Sequence, residues 1–374
     1  MDKIKRFIDC GVPTFSCNLR CHYCYVAQNY NFTKENPSFR YSPETVGKAL
    51  SKERLGGVCL FNICASGETL MPHEILGYVK AILEQGHYVM IVTNLTFTNR
   101  LKEIETWPLE LRKHIFFKVS YHYLELKRLN LFDRFFENID LIRKMGASFT
   151  LEVTPSDELI PYIGELKELT LAKVGALPHI TVARNESKSD YPLLTSLSRD
   201  EYKKVWGQFD SKLFEFKMSI FGKKRKEYCF AGNWSFTLNL ITGVMKQCYC
   251  TNFFANIFKN PDKKLNFVNI GRACKAPHCH NGHAFLTIGS IPELETPYFV
   301  ELRNRVCLDG SEWLNPECKA LFSSKMMESN EQIKPFKDVI TNHIYSAFYK
   351  LAWNGRKIMK KLKPDFKSYE QRKR

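Results

Sequence analysis

The sequence lacks a long apolar segment. No run in its 374 residues approaches the ~20 consecutive apolar residues of a membrane-spanning helix. The first residues, Met1 to Arg6, also lead into no apolar stretch of the length found in a secretory signal peptide. Internal repeats beyond an alternation of strands and helices are missing, and so are low-complexity tracts. With 44% hydrophobic residues, the chain is expected to be a cytoplasmic globular protein.

Acidic residues are scarce relative to basic ones. The chain has 55 Lys and Arg against 39 Asp and Glu, a formal net charge of +16. Much of this excess is local, because residues 355–374 hold nine basic residues and two acidic ones. The rest is a modest surplus, so we expect no nucleic-acid partner. A non-catalytic zinc protein that contacts nucleic acid through its basic surface is the alternative.

Cysteine, in contrast, is abundant. In a cytosolic chain, 13 cysteines favour metal ligation over disulfides. Three of them, Cys17, Cys21 and Cys24, form a C-x₃-C-x₂-C run directly after an apolar segment. Three thiolates would leave one iron of a four-iron cluster without a protein ligand, open to a substrate or cofactor. Half of a zinc site and cysteines that pack as small hydrophobes are the competing interpretations.

This run resembles the signature of the radical S-adenosylmethionine (radical SAM) superfamily, in which an aromatic residue, here Tyr23, precedes the third cysteine. The resemblance implies that Cys17, Cys21 and Cys24 hold a [4Fe-4S] cluster whose open iron binds S-adenosyl-L-methionine. It also implies that the reduced cluster cleaves this cofactor to methionine and a 5′-deoxyadenosyl radical. A reducing partner such as flavodoxin or ferredoxin is then expected.

Strand-like and helix-like segments alternate six times between residue 7 and about residue 210, which indicates a parallel sheet. Right-handed crossovers curl such a sheet toward a barrel. We predict a partial (β/α)6 TIM-like barrel in residues 1–215, an auxiliary domain with a β-hairpin in residues 221–290, and a helical extension in residues 291–374. The pattern further predicts a strand at 179–183, one long helix from Leu126 to Ile142, and a helix capped by Ser156.

A segment after the second predicted strand, Ser66-Gly67-Glu68, stands where the family has Gly-Gly-Glu. In the family this segment contacts the amino group of S-adenosylmethionine, so the resemblance implies that Ser66, Gly67 and Glu68 bind the cofactor. Ser66 departs from the family pattern, although its backbone carbonyl is still available.

Polar residues follow the next strands. Asn94, Ser120 and His122 stand where the family contacts the ribose and carboxylate of the cofactor, and ordinary turn chemistry is the alternative for Asn94. Glu152, between two apolar residues of the fifth strand, points either into the barrel or toward the outer helices. We predict cofactor contacts for Tyr23, Asn94, Ser120 and Glu152. Arg184, past the sixth strand, is either a partner for a substrate anion or the cofactor carboxylate or, by default, a surface residue.

A second group of cysteines begins at Cys229. The C-x₁₃-G-x₄-C pattern of Cys229, Gly243 and Cys248 resembles the start of the accessory domains called SPASM or twitch. With Cys274 and Cys279 it implies one auxiliary [4Fe-4S] cluster, since a C-x₂-C-x₅-C-x₃-C run is missing. Two alternatives stay open. In the first, Cys250, Cys307 or Cys318 replaces one of the four ligands. In the second, the same cysteines bind zinc together with His278, His280 or His283.

Together these features predict a radical SAM enzyme of oxidoreductase or epimerase type that acts on a sugar, glycan or peptide. The C-terminal segment adds one feature. Apolar residues recur at three- and four-residue steps from Ile344 to Leu362, beside a run of basic residues. This pattern is typical of a helix that lies on an anionic membrane. In the alternative, the stripe from Ile344 to Leu351 packs on the enzyme body and a basic tail follows Pro364.

Overall fold

The computed structural model describes residues 2–30, 32–249, 251, 254–279 and 282–362. Its centre is a sheet whose first six strands are all parallel and pair in the order β6-β5-β4-β3-β2-β1. These strands are β1 (Arg6–Val12), β2 (Cys59–Ala65), β3 (Tyr88–Thr93), β4 (Ile115–Ser120), β5 (Ser148–Val153) and β6 (His179–Ile180). Within the described residues the sheet is open at β6, so the predicted partial barrel is confirmed.

Helices follow the strands as the apolar spacing predicts. They are α1 (Tyr25–Asn29), α2 (Pro43–Ala49), α3 (Lys52–Leu55), α4 (Ile75–Glu84), α5 (Thr98–Glu105), α6 (Leu109–Arg112), α7 (Tyr123–Arg128), α8 (Phe132–Lys144), α9 (Ile163–Val174), α10 (Arg199–Gly207) and α11 (Lys212–Ile220). Local sequence sets several of their starts. The hydroxyl of Ser42 accepts from Thr45 N before α2, and Ser198 and Glu201 form a capping box at α10.

Three local predictions are wrong. The long helix is two helices, α7 and α8, because Asn130 between them adopts a left-handed conformation with φ of 53°. Ser156 makes no capping hydrogen bond, and a 3-10 helix, Asp157–Tyr162, precedes α9, with Pro161 unable to donate a backbone hydrogen bond. The sixth strand ends at Ile180, after two residues.

The predicted hairpin is present and extends the barrel sheet. Strands β7 (Ser235–Asn239), β8 (Val244–Lys246) and β9 (Phe254–Asn256) pair in antiparallel fashion. Gly243 ends the turn with φ of 71°, where a Cβ atom would lie 2.7 Å from Asn256 and Phe258. Because β7 runs parallel to β1, the hairpin continues the barrel's sheet beyond the predicted domain boundary.

Each strand packs on both faces. Alternate residues such as Ile8, Phe61 and Val89 face the helices in the larger core. Their neighbours Phe7 and Phe116 face inward and meet Phe285 and Phe322 from the C-terminal part, with ring centroids 5.0 Å apart in both pairs. Residues from the end of the chain thereby fill the inner face near the amino ends of the strands.

The C-terminal part contains three further helices, α12 (Gly282–Thr287), α13 (Pro316–Phe322) and α14 (Phe336–Leu362). Two 3-10 turns, Phe299–Leu302 and Met326–Glu328, lie between them. The predicted helical extension is therefore mostly loops and short helices until α14. In the part of the chain that is described, no helix combines the length and the apolar character needed to cross a membrane.

Candidate active site

A cavity of about 250 Å³ opens at the carboxyl edge of the parallel strands. Segments that follow all six strands line it, as expected for the ligand site of an open parallel sheet. The lining includes Cys17, Cys21, Cys24 and six of the seven predicted cofactor-binding residues: Tyr23, Ser66, Gly67, Glu68, Asn94 and Ser120.

The three thiols lie on the loop between β1 and α1, and Cys24 directly precedes the helix. The backbone turns between the last two, where Cys24 N donates to Cys21 O at 3.1 Å. Burial raises the pKa of Cys17 to about 11, and the nearby Glu68 and Cys24 add to the rise. Burial also raises the pKa of Cys21, again with contributions from Cys24 and Cys17. The charges of neighbouring groups therefore act on both Cys17 and Cys21.

The segment from Ser66 to Glu68 packs closely on the cysteine loop. Gly67 N donates to Thr14 O at 2.6 Å and Glu68 N donates to Ser16 O at 2.9 Å. A Cβ atom on Gly67 would lie 2.0 Å from the Ser16 carbonyl oxygen, so only glycine permits this approach. Two separate loops thus form one wall of the cavity.

Glu68 holds the strand ends together. Its buried carboxylate accepts from Thr93 Oγ1 at 2.6 Å, Asn94 N at 2.8 Å and Leu70 N at 3.0 Å. Burial nevertheless raises its pKa, against the effect of these hydrogen bonds. Asn94 in turn directs its amide toward the cysteine loop, with Nδ2 2.9 Å from Asn18 Oδ1 and 3.9 Å from Cys17 Sγ. Glu68 therefore orients the wall of the cavity that Asn94 joins to the thiols.

Tyr23 and His122 meet across the cavity. The Tyr23 hydroxyl and His122 Nδ1 share a hydrogen bond of 2.7 Å. Burial lowers the pKa of His122 to about 4, so its ring is neutral near pH 7. A hydrogen bond from Tyr23 also reaches Cys21 and lowers the pKa of that thiol. Tyr23 therefore couples the cysteine loop to the end of β4.

Glu152 does not line the cavity. It faces the interior of the barrel, where it pairs with the fully buried Arg303 and lies 3.5 Å from Lys118 Nζ. Burial lowers the pKa of Lys118 to about 8. The prediction that Glu152 contacts the cofactor finds no support in this geometry, because its partners are cations of the barrel interior. The sequence around Glu152 gives no indication of its partner Arg303, which lies 151 residues away in the chain.

The inner face also carries Asp9, on β1. Asn62 Nδ2 donates to its carboxylate at 2.5 Å, and the Tyr249 hydroxyl donates to its other oxygen. Burial raises the pKa of Asp9 to about 6, although Asn62 and Lys118 oppose the rise. Since Tyr249 directly follows Cys248, this contact joins the hairpin region to the barrel.

Several lining residues were missed from the sequence, among them Tyr25, Cys64 and Glu186. The Tyr25 hydroxyl donates to Ser66 O at 2.9 Å, and Cys64 lies at the end of β2. Arg184, for which a surface position was the default, lines the cavity and pairs with Glu186 at 2.5 Å. For Cys64 the strand alternation was a usable signal, because residues 60, 62 and 64 share the inner face.

A second, smaller cavity of about 50 Å³ is lined by all four predicted auxiliary ligands, Cys229, Cys248, Cys274 and Cys279. Cys229 is tied to Gly271 by an isolated antiparallel bridge. Burial raises the pKa of Cys229 to about 12, and Cys274 contributes to the rise, so these two thiols lie close together. His278 and Tyr249 also line this cavity.

The alternative cysteine ligands lie away from this cavity or outside the described residues. Cys307 Sγ donates to Val174 O at 3.3 Å, and Cys318 Sγ contacts the carbonyl of Lys113 at 3.6 Å. Cys250 and His280 lie outside the described residues. Within those residues, no group of three or more His, Cys, Asp or Glu side chains is arranged to hold a single metal ion.

Residues 12–154 match the family model of the Radical SAM superfamily. This part of the chain, which runs from the end of β1 to the end of β5 and carries the three thiols, therefore matches a radical SAM domain. No curated protein matches the sequence significantly.

Several solved structures resemble the fold. They include SuiB of Streptococcus suis bound to S-adenosylmethionine (14% identity, TM-score 0.48, covering 69% of this chain and 64% of SuiB). Native anSMEcpe with bound AdoMet is another (16% identity, TM-score 0.47, 69% and 79%). A third is BtrN in complex with AdoMet and 2-DOIA (17% identity, TM-score 0.34, 72% and 80%). The chain spans less than two thirds of SuiB, and likenesses at these scores carry no conclusion about activity.

The radical SAM family implies a [4Fe-4S] cluster and S-adenosylmethionine. The donor set fits this pair. Three cysteines share one short loop, and cysteine thiolates are the ligands that hold iron-sulfur clusters. Beside them, the backbone of Gly67 lies against the cysteine loop, and Asn94 lines the same cavity.

Proposed function

We propose that this chain is a radical SAM enzyme in which Cys17, Cys21 and Cys24 hold a [4Fe-4S] cluster and the 250 Å³ cavity receives S-adenosylmethionine. The observation that carries the proposal is the convergence of these three thiols with the segment 66–68 in one cavity. When bound and reduced, the cluster supplies the electron that cleaves the cofactor to methionine and a 5′-deoxyadenosyl radical.

The chain's own residues position the cofactor. The backbone of Ser66 and Gly67 forms the wall beside the thiols, and Tyr25 fixes the Ser66 carbonyl. We assign the amino group of S-adenosylmethionine to this wall. Asn94 and Ser120, on the neighbouring strand ends, are assigned to its ribose and carboxylate. Glu68 acts as a positioning residue, because its carboxylate is occupied by Thr93, Asn94 and Leu70.

The substrate in this proposal is a sugar, glycan or peptide. The inner face of the barrel supports a hydrophilic substrate, since it carries Asp9, Asn62, Lys118 and Glu152. Such fixed donors and acceptors orient a polar ligand at low cost. Hydrogen abstraction by the radical then requires only that a C–H bond of the substrate lies beside the cavity.

Cys229, Cys248, Cys274 and Cys279 are proposed to hold one auxiliary [4Fe-4S] cluster. A cluster with four thiolate ligands has no open iron, so its role would be electron transfer. The Asp9–Tyr249 contact supports this role, because it brings the second cavity's wall against the barrel interior. A flavodoxin or ferredoxin is the proposed reducing partner of the first cluster.

The proposed reaction is either a dehydrogenation or an epimerisation of the substrate. In a dehydrogenation, the substrate radical left by hydrogen abstraction would lose an electron to the auxiliary cluster and a proton to solvent. Epimerisation requires a hydrogen atom from a donor such as a thiol. Cys64 is placed to act as this hydrogen donor, because it lines the cavity and is not one of the proposed cluster ligands. Burial raises its pKa to about 12, which keeps the S–H bond intact at neutral pH. After donation its sulfur radical would need an electron and a proton, the electron coming from the auxiliary cluster.

The test of the proposal is the metal content and cofactor cleavage of anaerobically purified protein. We expect ~8 irons per chain from two four-iron clusters, and 5′-deoxyadenosine when dithionite and S-adenosylmethionine are added. Cys318→Ala is the matched control, since Cys318 lies away from both cavities. Zinc with little iron, or iron without 5′-deoxyadenosine, would contradict the proposal.

The two reactions are separated by turnover in D₂O. Epimerisation through Cys64 places one solvent deuterium on the product, and Cys64→Ala stops product formation while 5′-deoxyadenosine is still made. Dehydrogenation introduces no deuterium at that carbon and leaves the Cys64→Ala variant active.

A further inference from the structure

Helix α14 presents large apolar side chains to solvent. Phe336, Phe348 and Leu351 are 77%, 66% and 68% exposed. Ile340 and Ile344 lie between them and are about half exposed. The spacing of these five residues is four, four, four and three, so they share one face of the helix. A surface helix normally turns such a face toward the core.

The polar side of α14 holds it to the body of the protein. The buried carboxylate of Asp338 accepts from Asn269 N at 3.1 Å and from Asn269 Nδ2 at 2.8 Å. One turn later, Asn342 donates to Asn269 O at 2.8 Å and accepts from Gln247 Nε2 at 3.0 Å. The helix is thus attached through hydrogen bonds with its apolar face outward, and the expectation that Ile344 to Leu351 pack on the enzyme body is wrong.

The charge of the segment indicates what covers this face. Between Phe336 and Leu362 the helix has six Lys and Arg residues and a single acid, Asp338, which is already bonded to Asn269. Residues 355–374 add to the imbalance, with nine basic residues against two acidic ones. A second copy of this chain on the same face would bring two basic segments together without acidic partners. An anionic surface complements both the apolar face and the basic residues.

We propose that α14 is an interfacial helix that docks the protein on an anionic lipid bilayer. The apolar face from Phe336 to Leu351 enters the boundary between headgroups and acyl chains, and the basic residues bind anionic headgroups. This inference concerns the location of the protein and is independent of the chemistry proposed above.

The test is co-sedimentation of the full chain with phosphatidylcholine vesicles that contain either no or about 30% phosphatidylglycerol. We expect binding to the anionic vesicles at least tenfold stronger than to the neutral ones, and much weaker in high salt because the headgroup attraction is screened. Phe348→Asp with Leu351→Asp should reduce binding at least tenfold. The matched control is Leu308→Asp, an 80% exposed leucine outside α14, which should bind as the unmodified protein does.

Three outcomes would overturn the proposal. The first is no binding of the unmodified chain to anionic vesicles at low salt, and the second is unchanged binding by the Phe348→Asp, Leu351→Asp variant. The third is a dimer in light scattering that this double variant dissociates, without vesicle binding, which would assign the apolar face to a second copy. Far-ultraviolet circular dichroism of each variant verifies that the fold is retained.

Discussion

The two groups of cysteines differ in how the chain holds them. Cys17, Cys21 and Cys24 lie in one loop, which is fixed from two sides by Gly67 and Asn94 at the ends of neighbouring strands. The second group, Cys229, Cys248, Cys274 and Cys279, comes from separate segments before and after the β7–β8 hairpin, and one bridge, Cys229 to Gly271, ties the first of them. The arrangement of the first group depends on local sequence and on the edge of the sheet, whereas the arrangement of the second group depends on tertiary packing. Substitutions in the two groups should therefore have separable effects.

The largest effect is expected at the first group. Replacing any one of Cys17, Cys21 and Cys24 by Ala should abolish 5′-deoxyadenosine formation, because two thiolates hold a cluster poorly. About half of the iron should remain, bound by the second group. Iron analysis and chromatographic detection of 5′-deoxyadenosine measure the two quantities. A single variant that cleaves S-adenosylmethionine at the original rate would show that these thiols are not the ligands.

The next largest effect is expected when a cysteine of the second group is replaced. Cys229→Ala or Cys279→Ala should halve the iron and stop turnover of the true substrate, while slow uncoupled formation of 5′-deoxyadenosine continues. The cofactor is cleaved at the other cavity, which these residues do not line. If both variants keep all their iron, the comparison fails, and the ligand search moves to Cys250 and the histidines beside Cys279.

Two glycines sharpen the comparison at the level of packing. A Cβ atom at Gly67 would lie 2.0 Å from Ser16 O, and one at Gly232, which has φ of 100°, would lie 2.1 Å from Val268 O. Overpacking of this kind costs about 1–3 kcal/mol, or about ten- to a hundredfold in rate where it displaces a binding wall. Gly67→Ala should slow cofactor cleavage by that factor, whereas Gly232→Ala should leave cleavage intact and reduce the iron of the second group.

The control for both is Gly164→Ala. Gly164 lies in α9, and nothing lies within 4 Å of an added Cβ atom. Alanine is favoured over glycine inside a helix by roughly 0.5–1 kcal/mol, so this variant should be slightly more stable and fully active. Equal loss of activity in all three variants would mean that the close approach at Gly67 has no particular role.

The sequence predicts the part of the molecule that is built from local signals. The parallel strands follow from the alternation of strand-like and helix-like segments, and the hairpin of β7 and β8 lies within the predicted residues 221–290. The cysteine loop is equally local. Where a helix was predicted too long, a single residue, Asn130, decided the outcome by adopting a left-handed conformation that apolar spacing does not report.

Features made by distant partners escaped prediction. Glu152 was a candidate cofactor ligand because a carboxylate in a buried strand suggests a site, yet its partner Arg303 comes from the C-terminal part. For α14 the sequence left an outward and an inward apolar face open, and the hydrogen bonds of Asp338 and Asn342 to Asn269 set the rotation of the helix. In both cases a polar contact across the fold decides which way a side chain points.

The smallest predicted effect concerns Asp9, where the Tyr249 hydroxyl joins the wall of the second cavity to the barrel interior. Asp9 has a pKa of about 6 in the folded protein, against an ordinary value of 3.8. The neutral carboxyl thus favours the folded state, a contribution that is fully present below pH 3.8 and is lost as the pH rises through 6. A shift of about two pKa units corresponds to at most ~3 kcal/mol.

Because asparagine does not ionise, the free energy of unfolding of Asp9→Asn should rise relative to that of the unmodified protein between pH 4 and 6 and then level off. Urea unfolding at matched iron content measures the difference. Asp190→Asn, in an exposed loop, is the charge-matched control and should give parallel curves. Parallel curves for Asp9→Asn itself would mean that this carboxylate is not buried at the junction of the two regions.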